Sequence, residues 1–179
     1  MDSIRVERVV DASTRRQSLQ AKIGSGQDPD EFRTRLASGQ AGHAGLRESA
    51  ALVAHVMGWE LDDIAESGEP VVARRDIATK HFRVAAGRTC GIHQRVVGAE
   101  NGQEKIVLDL KMYLDAPGPR DVIAVRGRPE LNVTVNGGVA GDDATIAALI
   151  NVVPRLIAAP PGLRLLHELA APVWARGIP

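Results

Sequence analysis

The chain predicts an α+β layer, a mixed β-sheet with helices packed on one face. Three observations carry this. A hydrophobic period of two opens the chain at Ile4 and returns between Val71 and Val135. Two segments of helical period with recognisable ends stand between those strand regions. A third helical stretch closes the pattern within Asn136 to Leu163. Strands, then helices, then hairpin-like strands and a last helix describe segregated layers. They do not describe an alternating βαβ chain.

The elements follow in order. Ile4 to Val10 alternates apolar and polar residues, as a half-buried strand does. Gln17 to Ile23 reads as a short helix that ends at Gly24-Ser25-Gly26. Asp28-Pro29-Asp30-Glu31 is a helix start, with Asp28 as cap and Pro29 at the first helical position. Phe32 and Leu36 should then point inward. Gly39 to Gly45 is a loop. Leu46, Ala50, Val53 and Met57 recur at helical spacing, and Gly58 supplies the stop. Leu61 and Ile64 read as a short satellite turn. Val71 to Val84 holds one or two strands, and Thr89 to Val97 another. Asn101-Gly102 predicts a hairpin turn. Its return strand places Ile106, Leu108, Leu110, Met112 and Leu114 on one face and Val107, Asp109, Lys111 and Tyr113 on the other. Asp121 to Arg126 and Leu131 to Val135 add two strands. Ile146, Leu149, Ile150, Val153, Leu156 and Ile157 then make one wide apolar face on a helix. Asp142 or Asp143 is expected to cap it, Pro154 to kink or shorten it, and the sheet to receive it.

Composition narrows the function classes. Twenty-two basic residues balance 22 acidic ones, so no basic excess points to nucleic acid. Aromatic residues make up 3% of the chain, which leaves base-stacking platforms implausible and the core aliphatic. Cys90 is the one cysteine, so there is no disulfide framework and no thiolate zinc site. No apolar run is long enough to span a membrane, and no signal peptide is visible. A cytoplasmic protein is the expectation.

Few local motifs carry chemistry. The Gly24-Ser25-Gly26 run follows a helix-like segment, which is the wrong context for a dinucleotide fingerprint, and no Walker loop, HExxH motif or nucleophile elbow occurs. The five histidines make no metal pattern. His43 is the titratable residue of most interest. It lies among Gly42 and Gly45, just before a helix whose first turn holds Arg47, Glu48 and Ser49. Glycines let backbone approach a ligand, and a histidine there can act as acid, base or donor. The alternative is a loop histidine that caps or packs. Ser13, Thr14, Arg15 and Arg16 leave the end of the first strand, and an arginine there suits a carboxylate; the alternative is a solvated polar turn, favoured for Arg16. Lys22 is one of four lysines and sits beside the Gly24 turn, as an anion ligand, a catalytic amine or a surface lysine. His93 and Gln94 face opposite ways on one strand, so at most one joins a given pocket. Cys90 reads as a buried filler rather than a nucleophile.

Taken together, several runs resemble the second domain of 2,4-diaminopentanoate dehydrogenase-like proteins, part of the wider dihydrodipicolinate reductase-like group. They are Val10-Asp11-Ala12-Ser13 with Arg15-Arg16, Lys22 to Gly26, Phe32, Gly42-His43-Ala44-Gly45-Leu46 with Glu48-Ser49, and Gly58-Trp59. Gly87, Gly91 and Gln94, Gly127 and Pro129, Gly141-Asp142 with Thr145, Asn151 with Pro154, and Pro160 to Leu163 continue the match. The resemblance covers nearly the whole chain. It implies that residues 1–179 form a single α+β substrate-binding and oligomerisation domain, dihydrodipicolinate reductase C-terminal-domain-like, without the Rossmann domain that holds NAD(P)H in such reductases. The double histidine of true dihydrodipicolinate reductases is missing, because Ser13 and Thr14 occupy that neighbourhood.

The resemblance and the residues set three functional expectations. The first is a stand-alone reductase-type substrate-binding domain. It takes a small polar or carboxylate-bearing ligand, self-associates as a dimer or tetramer through its sheet, and meets NAD(P)H only through a separate Rossmann-domain protein. The second is a cofactor-free enzyme of isomerase, cyclase or lyase type that reuses the pocket. The third is a fragment of a two-domain NAD(P)-dependent dehydrogenase. His43, Glu48 and Lys22 are the expected acid–base residues. Ser13, Thr14, Arg15, Gln94 and Gly138 are the expected substrate contacts, with no cofactor-binding or metal-binding residue in the chain.

Overall fold

A computed structural model describes residues 1–170. The chain divides into two compact units, Met1–Gly138 and Val139–Pro179. The first is the α+β layer. Its strands are β1 (Ser3–Asp11), β2 (Asp63–Val72), β3 (Ile77–Ala78), β4 (Arg83–Val84), β5 (Thr89–Glu100), β6 (Gln103–Tyr113), β7 (Arg120–Arg126) and β8 (Leu131–Asn136). Its helices are α1 (Gln17–Lys22), α2 (Pro29–Ala37) and α3 (Leu46–Met57).

Six strands form one mixed sheet in the order β2-β5-β6-β1-β7-β8, and β3 pairs with β4 in a separate ribbon. The first strand lies in the middle. It runs parallel to β6, with Val6 opposite Leu108 and Val10 opposite Met112, and antiparallel to β7. Asn101 and Gly102 both have positive φ, the backbone a tight hairpin requires, and they join β5 to β6.

The helices cover the β2–β5–β6 side of one face, with α2 on β2 and α3 on β2, β5 and β6. Asp28 caps α2, its Oδ1 accepting the N–H groups of Asp30 and Glu31. Phe32 is fully buried with Ile23, Ile92, Leu110 and Met112 in the main core, and burying such a ring is worth about 1.5–3 kcal/mol. A smaller cluster gathers Ala50 of α3 against Val96 and Ile106. The opposite face is a ladder of charges. Lys111 Nζ is 2.7 Å from Glu7 Oε2, Arg120 Nη2 is 2.7 Å from Glu7 Oε1, and His93 Nε2 is 3.0 Å from Asp109 Oδ1.

Two expectations are corrected here. Ile64 belongs to β2, not to a satellite turn, and β2 runs on to Val72. As an edge strand paired only with β5 it needs no strict apolar alternation, and it tolerates Pro70. The one or two strands expected between Val71 and Val84 are the end of β2 plus the short β3–β4 ribbon.

The second unit contains α4 (Gly141–Ala158) and a 3₁₀ turn at Leu166–Glu168. The N-cap of α4 is Ala140, with no side-chain cap; Asp142 and Asp143 fall in the first turn instead, where their charge still suits the helix dipole. The helix continues through Pro154. The apolar stripe from Ile146 through Ile157 falls within this helix at the expected spacing. Arg155 Nη1 donates to Ala170 O at 2.7 Å and ties the helix to the segment beyond the 3₁₀ turn.

Candidate functional site

Two pockets meet over the helix-covered face of the first unit, and both are lined by Lys22, Gly42 and His43. The smaller, of about 200 Å³, has an apolar floor of Leu19, Ile23, Ile92 and Met112, with Arg16 and Ser18 beside Lys22. The larger, of about 850 Å³, runs along the loop from Gly39 to Gly45 and the strand edge at Glu66, Ser67 and Gly68. It adds Arg35, Arg47, Glu48 and Gln94 to the lining. A cavity of that size suits a small molecule.

The local sequence explains how these groups arrive. Lys22 is the last residue of α1, and Glu48 stands in the first turn of α3. His43 lies on the glycine-rich loop between α2 and α3, with Gly42 and Gly45 in left-handed backbone. That loop is held from below. Gln94 occupies the core face of β5 between Ile92 and Val96 and is 6% exposed. Its Oε1 accepts the His43 N–H at 2.5 Å, and its Nε2 donates to His43 O at 3.4 Å and to Glu66 Oε1 at 3.3 Å.

The His43 residue is solvent-exposed along its outer side, yet the protein behind it and the nearby cations Lys22 and Arg8 hold its pKa below the ordinary histidine value. A neutral imidazole beside a lysine is able to accept a proton or a hydrogen bond. Burial pushes the Cys90 thiol up to about 11, so it stays protonated and inert, the filler its position implied.

The expected site residues therefore separate into two groups. Lys22 and His43 line both pockets, and Glu48 and Gln94 line the larger. Ser13, Thr14, Arg15 and Gly138 line neither. Ser13 serves its own turn: its hydroxyl accepts the Asp115 N–H at 2.8 Å, and its N–H donates to Asp11 Oδ1. Gly138, after β8, lies beside Arg120 and Asp121. Arg35, Arg47 and Glu66 were not singled out from the sequence. Glu66 lies on the helix-facing side of β2 opposite Val96, in the part of that strand the sequence pattern does not reveal. Arg35 and Arg47 read as ordinary solvated helix charges. Among the described residues no group of three or more metal-binding side chains occurs, and no helix is long and apolar enough to cross a membrane.

The first unit is an α+β layer, a mixed sheet with its helices packed on one face and a pocket under the α2–α3 loop. The fold is similar to that of an amine dehydrogenase from Mycobacterium smegmatis, with a TM-score of 0.82 at 19% identity, over 98% of this chain and 53% of that one. The chain belongs to the family described as the 2,4-diaminopentanoate dehydrogenase C-terminal domain, whose model matches residues 1–177. It is 30% identical over 155 residues to the 2,4-diaminopentanoate dehydrogenase of Acetoanaerobium sticklandii. That match takes in 83% of this chain and 44% of the relative, so the chain spans less than half the length of the curated relative it matches.

Proposed function

We propose that this chain is the substrate-binding part of a dehydrogenase-type system, taking a small carboxylate-bearing amine in the paired pockets and leaving the nicotinamide to a Rossmann domain. The observation that carries the reading is the junction of the two pockets at Lys22 and His43. Lys22, with Arg16 close by on the smaller pocket, suits a carboxylate, and the apolar floor at Ile92 and Met112 suits a short aliphatic chain. Glu48 and Glu66 on the larger pocket suit an ammonium group. His43 is the acid–base candidate, with Glu48 and Lys22 beside it.

The Gly24-Ser25-Gly26 run does not make a dinucleotide cradle. Gly24 is left-handed and stands after a helix, and a Cβ there would lie 2.7 Å from the Phe32 ring, so its bareness serves core packing. No step is assigned to a nicotinamide within this chain. Self-association is part of the same reading. Ile123, Leu131, Val133 and Val135 align on one face of β7–β8 and are all exposed, an apolar patch that suits an interface.

Turnover assays separate this reading from its rival. The chain is offered 2,4-diaminopentanoate alone, with NADP⁺, and with NADP⁺ plus a separately purified Rossmann-domain protein. Turnover only in the third arm is expected. Conversion of the diamino acid without any nicotinamide, abolished in His43→Ala, would instead establish the cofactor-free acid–base enzyme. That second reading rests on the neutral His43 beside Lys22.

A further inference from the structure

We infer that Gln94 is a positioning residue that fixes two pocket groups at once, the loop carrying His43 and the carboxylate of Glu66, and that it does so because Gly42 has no Cβ. The inference rests on the larger pocket being the ligand site. A glutamine amide offers one carbonyl acceptor and two N–H donors. Here Oε1 takes the His43 N–H, and Nε2 serves His43 O and Glu66 Oε1. Both backbone groups of one loop residue are thereby captured by a side chain rooted in the sheet. Gln94 itself has apolar neighbours on its face, Ile92 and Val96, each fully buried. An amide there is costly unless its bonds are made, so the loop and the strand hold each other in register.

Gly42 is needed for two reasons. Its φ is +102°, a backbone that L side chains rarely adopt. A Cβ there would also lie 2.9 Å from Gln94 Nε2 and 3.2 Å from Oε1, displacing the amide that holds the next residue. Gln94 therefore acts through His43 and Glu66 rather than by spending its own hydrogen bonds on a ligand.

The test uses the whole chain and two variants that break the latch from opposite sides. Gln94→Met keeps length and removes every hydrogen bond. Gly42→Ala leaves Gln94 in place and crowds its amide. Val96→Ala, on the same strand face but with no side-chain hydrogen bond to the loop, controls for general destabilisation. Nuclear magnetic resonance follows the His43 ring through a pH titration, with His43→Gln to assign it, and calorimetry follows binding of 2,4-diaminopentanoate.

Both latch variants are expected to weaken binding by about tenfold, the scale of one or two lost hydrogen bonds. In both, the His43 midpoint should rise towards the ordinary histidine value as the loop leaves its buried seat, while Val96→Ala leaves the midpoint unchanged. An unchanged midpoint in both latch variants, or an equal rise in Val96→Ala, would overturn the inference. Should Gln94→Met fail to fold, Gly42→Ala decides. If the unaltered chain does not bind the diamino acid, the reading of the pocket fails on its own, and the His43 titration still decides the latch.

Discussion

The hydroxyl of Thr79 donates to Gln20 Oε1 at 2.8 Å, joining the turn between β3 and β4 to helix α1. The same amide reaches the turn after β1, where Nε2 donates to Ser13 O at 3.0 Å and to Arg15 O at 2.8 Å. Gln20 is fully buried and every donor and acceptor it has is used. The nearby turn after β1 and the distant β3–β4 turn thus hang on one side chain of α1. Since α1 also carries Lys22, the position of the pocket lysine depends on this anchor.

Gln20→Leu fills the same space and strands the carbonyls of Ser13 and Arg15. Burying unpaired polar groups costs about 1–3 kcal/mol each, less whatever the turn recovers by opening to water. Urea denaturation should show a loss of at least about 1 kcal/mol, with a matching drop in midpoint. A change within about 0.5 kcal/mol, the range of an ordinary surface substitution, would show that the anchor carries no stability.

His43 makes folding stability depend on pH in a known direction. Its folded pKa lies below the unfolded value, chiefly through burial and then through Lys22 and Arg8. Between the two values the unfolded chain binds more protons, so stability rises with pH across that window. Equivalently, this contribution is present above the ordinary histidine value of 6.5 and is lost as pH falls through the folded pKa. His43→Gln should flatten that slope in denaturation curves collected from pH 7 down to about 5, where histidine titrates. An unaltered slope would place the imidazole in solvent, away from both cations.

Much of this fold is legible in the chain because burial imposes a period. In β6, Ile106, Leu110 and Met112 are buried on one face while Asp109 and Lys111 pair on the other, so the alternation announces the strand. The start of α2 is equally plain, since Asp28 and Pro29 have one chemical reason to stand together. Where burial is weak, the period fails. The edge strand β2 reads as turn and loop until Val71, although Ile64 already pairs with Gly98. The α4 stripe is a true helical pattern, since Ile146 through Ile157 all fall within Gly141–Ala158.

The site was less legible than the fold for a different reason. Lys22, His43 and Glu48 stand out through glycine context and helix ends, and the end of α1, the α2–α3 loop and the first turn of α3 bring them together. Ser13, Thr14 and Arg15 share the same kind of context, but their turn is used to bind Gln20 and Asp115. Gln94 carries a usable signal. It interrupts the buried series Ile92, Val96 and Gly98, and a polar residue at a core position calls for partners.

The exposed row Ile123, Leu131, Val133 and Val135 is expected to support self-association. Val133→Glu places a charge at its centre, half exposed in the single chain. Light scattering at micromolar concentration should find an oligomer before the change and a smaller species after it, with circular dichroism unaltered. The same mass for both chains would remove this patch from the interface.

What the paired pockets bind decides the function of this chain. Isothermal calorimetry with the intact chain measures this most directly, with 2,4-diaminopentanoate and NADPH as separate titrants. Saturable binding of the diamino acid is expected, weakened by about tenfold or more in Lys22→Ala, where the charge facing the carboxylate is gone. NADPH should give no binding heat. Micromolar affinity for NADPH, or diamino acid binding that is indifferent to both Lys22→Ala and His43→Ala, would contradict the account.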